Sequence, residues 1–258
     1  MKKRTAFIIN PISGTTKKDL IPAYILDTLN EEIFDAEIVF TERKGHGSEL
    51  ARGFVARGFD IVVAVGGDGT VNEIARELRH TNTALGIIPV GSGNGLARHL
   101  GIPMNIHSAE EVLNNSETIL MDYGVVNDQP FFCTCGTGFD AYVSTEFAKG
   151  QRRGIMAYLE KIITGYFSYK SLNYHLTGDG IDLKTKAFVL TFANASQWGN
   201  NAYIAPHADF TDGRLNITIV KPFGFIGAIR LSVSLFLKQI DKIKYTETFD
   251  CERITFHL

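Results

Sequence analysis

The pattern of apolar and polar positions changes character near the middle of this 258-residue chain. In the first half, short apolar runs at 60–65 and 84–89 predict buried parallel strands, 5–10 reads as a first strand, and 36–41 alternates like a strand. Between them, apolar residues recur at helical spacing: Leu20, Ala23, Tyr24, Ile25 and Leu29, then a stretch over 47–58, then Val71, Ile74, Ala75 and Leu78. Strand and helix alternate up to about residue 122, which predicts βαβ units and a parallel sheet. Beyond Asp122 the texture is that of antiparallel strands, over 131–135, 171–176, 187–193 and 215–220, with a hairpin signal at Asn127-Asp128. A stretch over 152–169 places Ile155, Leu159, Ile162, Ile163 and Tyr166 on one helical face, and 226–240 reads as a further helix or an apolar strand pair. The fold class is therefore an α/β N-terminal domain with a parallel sheet, residues 1–122, and a mostly antiparallel β domain, residues 123–258.

Four loops follow the four predicted strands of the first domain, and in open α/β sheets ligands bind at that edge. The richest is Gly66-Gly67-Asp68-Gly69-Thr70-Val71-Asn72-Glu73, where a strand ends and a helix begins. Its glycines let a ligand approach the backbone, and the helix start offers free N–H groups to an anion. An acid such as Asp68 suits a phosphate site if a divalent cation lies between the two. Asn10-Pro11-Ile12-Ser13-Gly14 and Val90-Gly91-Ser92-Gly93-Asn94 are further polar, glycine-bearing turns, and Arg98 is either a phosphate-reaching side chain or a surface or cap arginine. In the second half, Asp209 and Asp212 stand three apart on a tight turn, a spacing that suits a hard cation with oxygen ligands and equally an Asp-Gly hairpin. Gly136 to Ala141 formally fits a dinucleotide fingerprint, but the strand alternation that motif needs is missing, and a sheet-to-helix corner is the better reading.

Composition narrows the classes. A formal net charge of −2 argues against a nucleic-acid partner. Three cysteines, Cys133, Cys135 and Cys251, make neither a disulfide framework nor a metal set, and the seven histidines show no ligand spacing. No secretory leader and no run of 18 apolar residues is present, so a cytoplasmic setting is expected. P-loop and protein-kinase motifs are missing too.

Gly66 to Glu73 resembles the signature of the diacylglycerol kinase catalytic domain family, which includes bacterial lipid kinases, sphingosine kinases and ceramide kinases and whose fold is like that of NAD kinases and phosphofructokinases. Asn10 to Gly14 is similar to the family's Asn-Pro-x-Ser-Gly element, and Pro89 to Asn94 to its Pro-x-Gly-Thr-x-Asn element, with Ser92 keeping the hydroxyl. The resemblance implies an ATP-dependent lipid kinase with ATP and Mg2+ in a cleft between the domains. It implies an ATP site at Asn10, Pro11, Ile12, Ser13, Gly14, Thr41, Gly66, Gly67, Asp68, Gly69, Thr70, Val71, Asn72, Glu73, Gly91, Ser92, Gly93 and Asn94. It gives Asp68 and Asp122 catalytic or metal-supporting roles. It also implies a structural magnesium at Asp209, Asp212 and Arg214, the first and last through backbone carbonyls. NAD kinases share the Gly-Gly-Asp-Gly-Thr core, but their Asn-Glu pair lies well downstream, whereas Asn72-Glu73 follows immediately here.

One departure keeps a non-catalytic nucleotide or lipid sensor as an alternative. The family carries an Asp-Gly-Glu whose acid is the general base. Here Asp-Gly occurs at Asp68, Asp179 and Asp212, and none is followed by Glu. The expectation is a chain truncated at its C-terminus that binds nucleotide and transfers phosphate poorly, or else proton transfer by Asp122, Asp68 or Glu73. The expected partners are a lipid substrate and a peripheral, anionic membrane surface, approached through Lys149, Arg152, Arg153 and the stretch over 155–166. A homodimer is left open.

Overall fold

The computed structural model describes residues 2–14, 20–115, 117–149, 164–166 and 168–258. The membrane-facing stretch expected from Arg152 to Tyr166 lies almost wholly outside these residues, as does the side chain of Lys149. The chain divides into two compact units, 1–120 and 121–258.

In the first unit, strands β1 (Lys3–Ile9), β2 (Phe34–Phe40), β3 (Ile61–Gly66) and β4 (Ala84–Pro89) form one parallel sheet in the order β2-β1-β3-β4. Every residue of β3 is buried, as an unbroken Ile-Val-Val-Ala-Val-Gly run requires of a central parallel strand. The connecting helices are α1 (Ile21–Thr28), α2 (His46–Ala56), α3 (Asp68–Leu78), α4 (Gly95–His99) and α5 (Ile106–Asn115). Phe7, Ile9, Val63, Val65 and Ile88 from the strands pack with Ile21, Ile25 and Ala109 from α1 and α5. The strand order reverses between β1 and β3, so their carboxyl ends, Asn10 and Gly66, flank the topological switch point where such sheets take ligands.

In the second unit, β5 (Gly124–Val126) and β6 (Gln129–Phe131) make the expected hairpin, with Asn127 and Asp128 at φ 46° and 63°. Both central residues in the left-handed region is the two-residue turn whose twist matches the strands. Strands β7 (Thr134–Gly138), β10 (Val189–Ala193), β11 (Leu215–Val220) and β12 (Thr246–Cys251) pair antiparallel in the order β12-β11-β10-β7. A second sheet joins β13 (Thr255–His257), β8 (Leu172–Gly178) and β9 (Ile181–Ala187). The corner at Gly136–Ala141 leads from β7 into α6 (Phe139–Lys149), and the segment of undecided type at 226–240 contains helix α7 (Phe225–Phe236). Two boundaries differ from expectation. The strand expected at 131–135 is broken at Phe132–Cys133, because the Cys133 carbonyl turns to accept the N–H groups of Asn194 and Ala195. The alternating run from Ile181 to Ala187 is a separate strand, β9, ending at Phe188, whose N–H bonds to Val220 instead.

Candidate functional site

The carboxyl edge of the first sheet is held together by its own loops. Asn10 donates its N–H to the Val65 carbonyl at 3.0 Å and its Nδ2 to Thr70 Oγ1 at 2.9 Å, bridging β1 to the first turn of α3 across the switch point. Its Oδ1 accepts the Ile12 N–H, leaving Pro11 and Ile12 exposed, and the Ser13 N–H returns to the Asn10 carbonyl. Gly14 adopts φ +58°, and a Cβ there would run into the Val90 carbonyl. Thr41 is buried and donates its N–H to the Ile9 carbonyl.

The two glycine loops touch backbone to backbone. A Cβ on Gly67 would stand 3.2 Å from Gly91 Cα, and one on Gly91 would collide with Gly67 Cα and come 2.7 Å from Asn94 Oδ1. Asn94, itself left-handed at φ 54°, clamps the second loop by accepting the Gly91 N–H at 3.1 Å and donating to the Gly91 carbonyl at 2.9 Å. Ser92 and Gly93 form the tip of that loop, and Arg98 folds back to donate Nε to the Gly93 carbonyl. Gly66 is pressed against Thr70, whose Cβ and Oγ1 would each be 2.5 Å from a Cβ at position 66.

Gly69 is the exception. A Cβ there would meet nothing within 4 Å. Glycine in a helix costs up to ~1 kcal/mol relative to alanine, and neither packing nor a left-handed backbone requires it here. It lies in the first turn of α3, ahead of the first intrahelical bond from the Val71 N–H to the Gly67 carbonyl. The N–H groups there have no partner within the helix and the helix dipole is positive at that end, so the space over Gly69 is a cradle suited to a phosphate group. Gly69→Ala is expected to leave the urea midpoint unchanged or raised while weakening ATP binding at least tenfold in calorimetry. Parallel loss of both would assign Gly69 to folding alone.

The acids are placed where the sequence could not show. Asp68 turns toward the start of α4, where its Oδ1 accepts the Leu96 N–H at 3.3 Å. Burial pushes its carboxyl pKa up, and the N–H groups of Leu96, Gly95 and Asn94 pull it partly back. Its carboxylate thus braces one glycine loop against the helix that follows the other. Glu73 accepts the Gly45 N–H at 3.1 Å, and its carbonyl accepts Ser48 Oγ, so it anchors the entry to α2. Val71 is buried in the core and Asn72 is half-buried beside it.

In the second unit, Asp122 donates its N–H to the Phe210 carbonyl and accepts the Gly213 N–H on Oδ2, both at 2.7 Å. It braces the 209–214 turn from outside. Within that turn, Asp209 Oδ1 accepts the N–H and hydroxyl of Thr211, and Asp212 Oδ1 accepts the Arg214 N–H. Among the described residues no three His, Cys, Asp or Glu side chains converge as a metal set. The donors implied there, one Asp212 carboxylate with the Asp209 and Arg214 carbonyls, are all oxygens, the chemistry a magnesium ion takes.

One buried acid drew no notice in sequence beyond its place at a corner. Asp140, in the first turn of α6, folds over Gly136, and burial pushes its carboxyl up to about 6. Its Oδ1 has no hydrogen-bond partner, and neither do the buried Thr191 Oγ1 and Tyr169 hydroxyl.

A parallel α/β domain with two packed glycine loops at its carboxyl edge, followed by an antiparallel β domain, is the class of protein that this fold defines. Comparison with known proteins gives the family. Residues 4–126 match the model of the diacylglycerol kinase catalytic domain, and residues 133–241 match that of the YegS C-terminal NAD kinase beta sandwich-like domain. The chain thus carries a diacylglycerol kinase catalytic domain followed by a YegS-type C-terminal domain. It is 32% identical over 191 residues to a diacylglycerol kinase of Mycobacterium tuberculosis H37Rv, covering 70% of this chain and 62% of that protein. It is 29% identical over 248 residues to the diacylglycerol kinase of Bacillus subtilis 168, covering 89% and 78%. The crystal structure of a diacylglycerol kinase from Bacillus anthracis str. Sterne shares the fold, with a TM-score of 0.74 and 21% identity over 98% of this chain and 85% of that one. The chain spans about three fifths of the length of the first curated relatives it matches.

Proposed function

We propose that this chain is an ATP-dependent lipid kinase that transfers the γ-phosphoryl group to the hydroxyl of diacylglycerol or a related lipid alcohol. The observation that carries the reading is the open cradle over Gly69, framed by two glycine loops that are otherwise packed against each other. The N–H groups of the first α3 turn would take phosphate oxygens, and Thr70, oriented by Asn10, would present its hydroxyl beside them. Mg2+ bound with the nucleotide would supply charge neutralisation on the phosphates. A second Mg2+ held by Asp212 with the carbonyls of Asp209 and Arg214 would fix the turn that Asp122 braces. Phosphoryl transfer is carried mainly by positioning and electrostatics, which rigid loops of this kind provide.

Proton removal is the weaker part of the machinery. Asp68, Glu73 and Asp122 each have a carboxylate oxygen engaged by a backbone N–H. If none of these three serves as base, transfer is expected to run ~10²–10⁴-fold below a fully equipped kinase. The test is transfer of labelled γ-phosphate from ATP to a panel of lipid alcohols and to NAD, with magnesium and with chelator. Slow, magnesium-dependent labelling of a lipid alcohol is the expected result. Labelling of NAD alone would make the chain an NAD kinase, and tight ATP binding without labelling of any acceptor would make it a sensor.

A further inference from the structure

Helix α7 (Phe225–Phe236) carries its largest apolar side chains on the outside. Leu231 and Leu235 pack on the second unit's core and Ser234 is buried. Phe225, Ile226, Ile229, Val233 and Phe236 are each more than half exposed, as is Leu237 just after the helix. At 100° per residue these six share one arc of about 120°, with Arg230 on its border. Single exposed apolar residues on a surface need no explanation, but a contiguous stripe of six does.

The charge around the stripe says what covers it. From Lys221 to Tyr245 the chain holds five basic residues, Lys221, Arg230, Lys238, Lys242 and Lys244, against one acid, Asp241, although the whole chain has a net charge of −2. His207 Nε2 stands 3.5 Å from the Asp241 Oδ2. Lys221 is paired with Glu247, and Lys238, which follows Leu237 directly in the chain, lies 4.4 Å above the Tyr203 ring. A short helix with an outward apolar face and a basic border lies flat in the headgroup region, its chains buried to a shallow depth and its cations at the phosphates. It does not cross: among the described residues no helix is long and apolar enough to span a bilayer.

We infer that the outward face of α7, bordered by Arg230 and Lys238, docks the protein on an anionic phospholipid bilayer. This deepens the lipid kinase reading, because a lipid acceptor must be met at its membrane. It also moves the expected membrane contact from the stretch after Lys149 to α7.

The test is co-sedimentation of the 258-residue chain with vesicles of phosphatidylglycerol and phosphatidylcholine, without nucleotide. The wild type is expected to bind phosphatidylglycerol-rich vesicles, less so as salt rises. Phe225→Ser, Ile229→Ser and Phe236→Ser together are expected to cut partitioning at least tenfold with unchanged circular dichroism. Arg230→Gln with Lys238→Gln, which leaves the apolar arc intact, is expected to remove most of the preference for the anionic lipid. Unchanged binding in both variants overturns the docking face, as does a wild type that ignores vesicles. If the serine variant does not fold, the Arg230 and Lys238 variant decides alone. Loss of a concentration-dependent dimer in the serine variant, with vesicle binding intact, would give the face to a second copy. Failure of the kinase reading is seen separately: the wild type would label no short-chain, water-soluble diacylglycerol, an assay in which the serine variant should match it.

Discussion

Gly91→Ala is expected to destabilise the first unit by roughly 2–3 kcal/mol and to abolish ATP binding. The added methyl group has no room to relax. On one side it meets Gly67 Cα, which is backbone at the end of a fully buried strand, and on the other the Oδ1 of Asn94. Asn94 cannot step aside without giving up its hydrogen bonds to the Gly91 N–H and carbonyl. Separation of the loops would widen the frame around Gly69, where a misplacement of about 1 Å is costly to binding and catalysis. Urea unfolding and ATP calorimetry on Gly91→Ala and Gly69→Ala together give the contrast. The first should lose both stability and binding, the second binding alone. Wild-type affinity in Gly91→Ala would show that the packed loops are not what frames the nucleotide.

Asp140→Asn is expected to stabilise the protein by about 3 kcal/mol at pH 8 and by about half as much at pH 5. The carboxyl titrates at about 6 in the folded chain against an ordinary value of 3.8. Between those values the folded state binds the proton more tightly than the unfolded state, so the wild type loses stability as pH rises toward 6 and pays the full cost above it. Burial is the cause. Oδ1 lacks any partner, Oδ2 sits over Gly136 in the neighbourhood of the Leu190 carbonyl and Thr191 Oγ1, and the N–H groups of Ala141 and Asp140 offset the burial only in part. An asparagine removes the charge and adds N–H donors toward those oxygens. Urea midpoints for both proteins across pH 5 to 8 measure the gap. A gap that stays constant with pH would mean that Asp140 is solvated or paired in solution.

The sheet of the first unit was readable because β1, β3 and β4 are largely buried and appear as unbroken apolar runs ended by glycine, asparagine or proline, whereas the edge strand β2 is mostly half-buried. The hairpin at Asn127-Asp128 was readable from local backbone preference alone. The second unit was blurred where one strand runs into the next without a polar break, as β9 does at Phe188. The destinations of the acids were not readable at all. Asp68 meets Leu96, Glu73 meets Gly45 and Asp122 meets Gly213, partners 28, 28 and 91 positions away that only folding brings together. Residue type in the glycine loop led to the expectation of a phosphate site, but that the Asp68 carboxylate accepts N–H groups at the start of α4 was not legible in it. Similarly, the apolar content of α7 was visible, yet apolar residues pointing outward look the same in sequence as apolar residues pointing in.

The ties between the loops also bear on how this edge of the sheet opens. Asn10 links β1 to α3, Asp68 links α3 to α4, Gly14 rests on Val90, and Gly67 rests on Gly91. No loop in this set can lift without breaking a bond or contact to a neighbour that is itself seated on β1, β3 or β4. In hydrogen-exchange terms the carboxyl edge of the sheet belongs to the same cooperative unit as the central strands, unlike the separately fraying loops that often carry function. The amides of Asn10, Gly91 and Leu96 should exchange on the timescale of strand β3. A nucleotide bound there, as proposed above, would meet a surface already in its final shape, and little of its binding free energy would be consumed in ordering the protein.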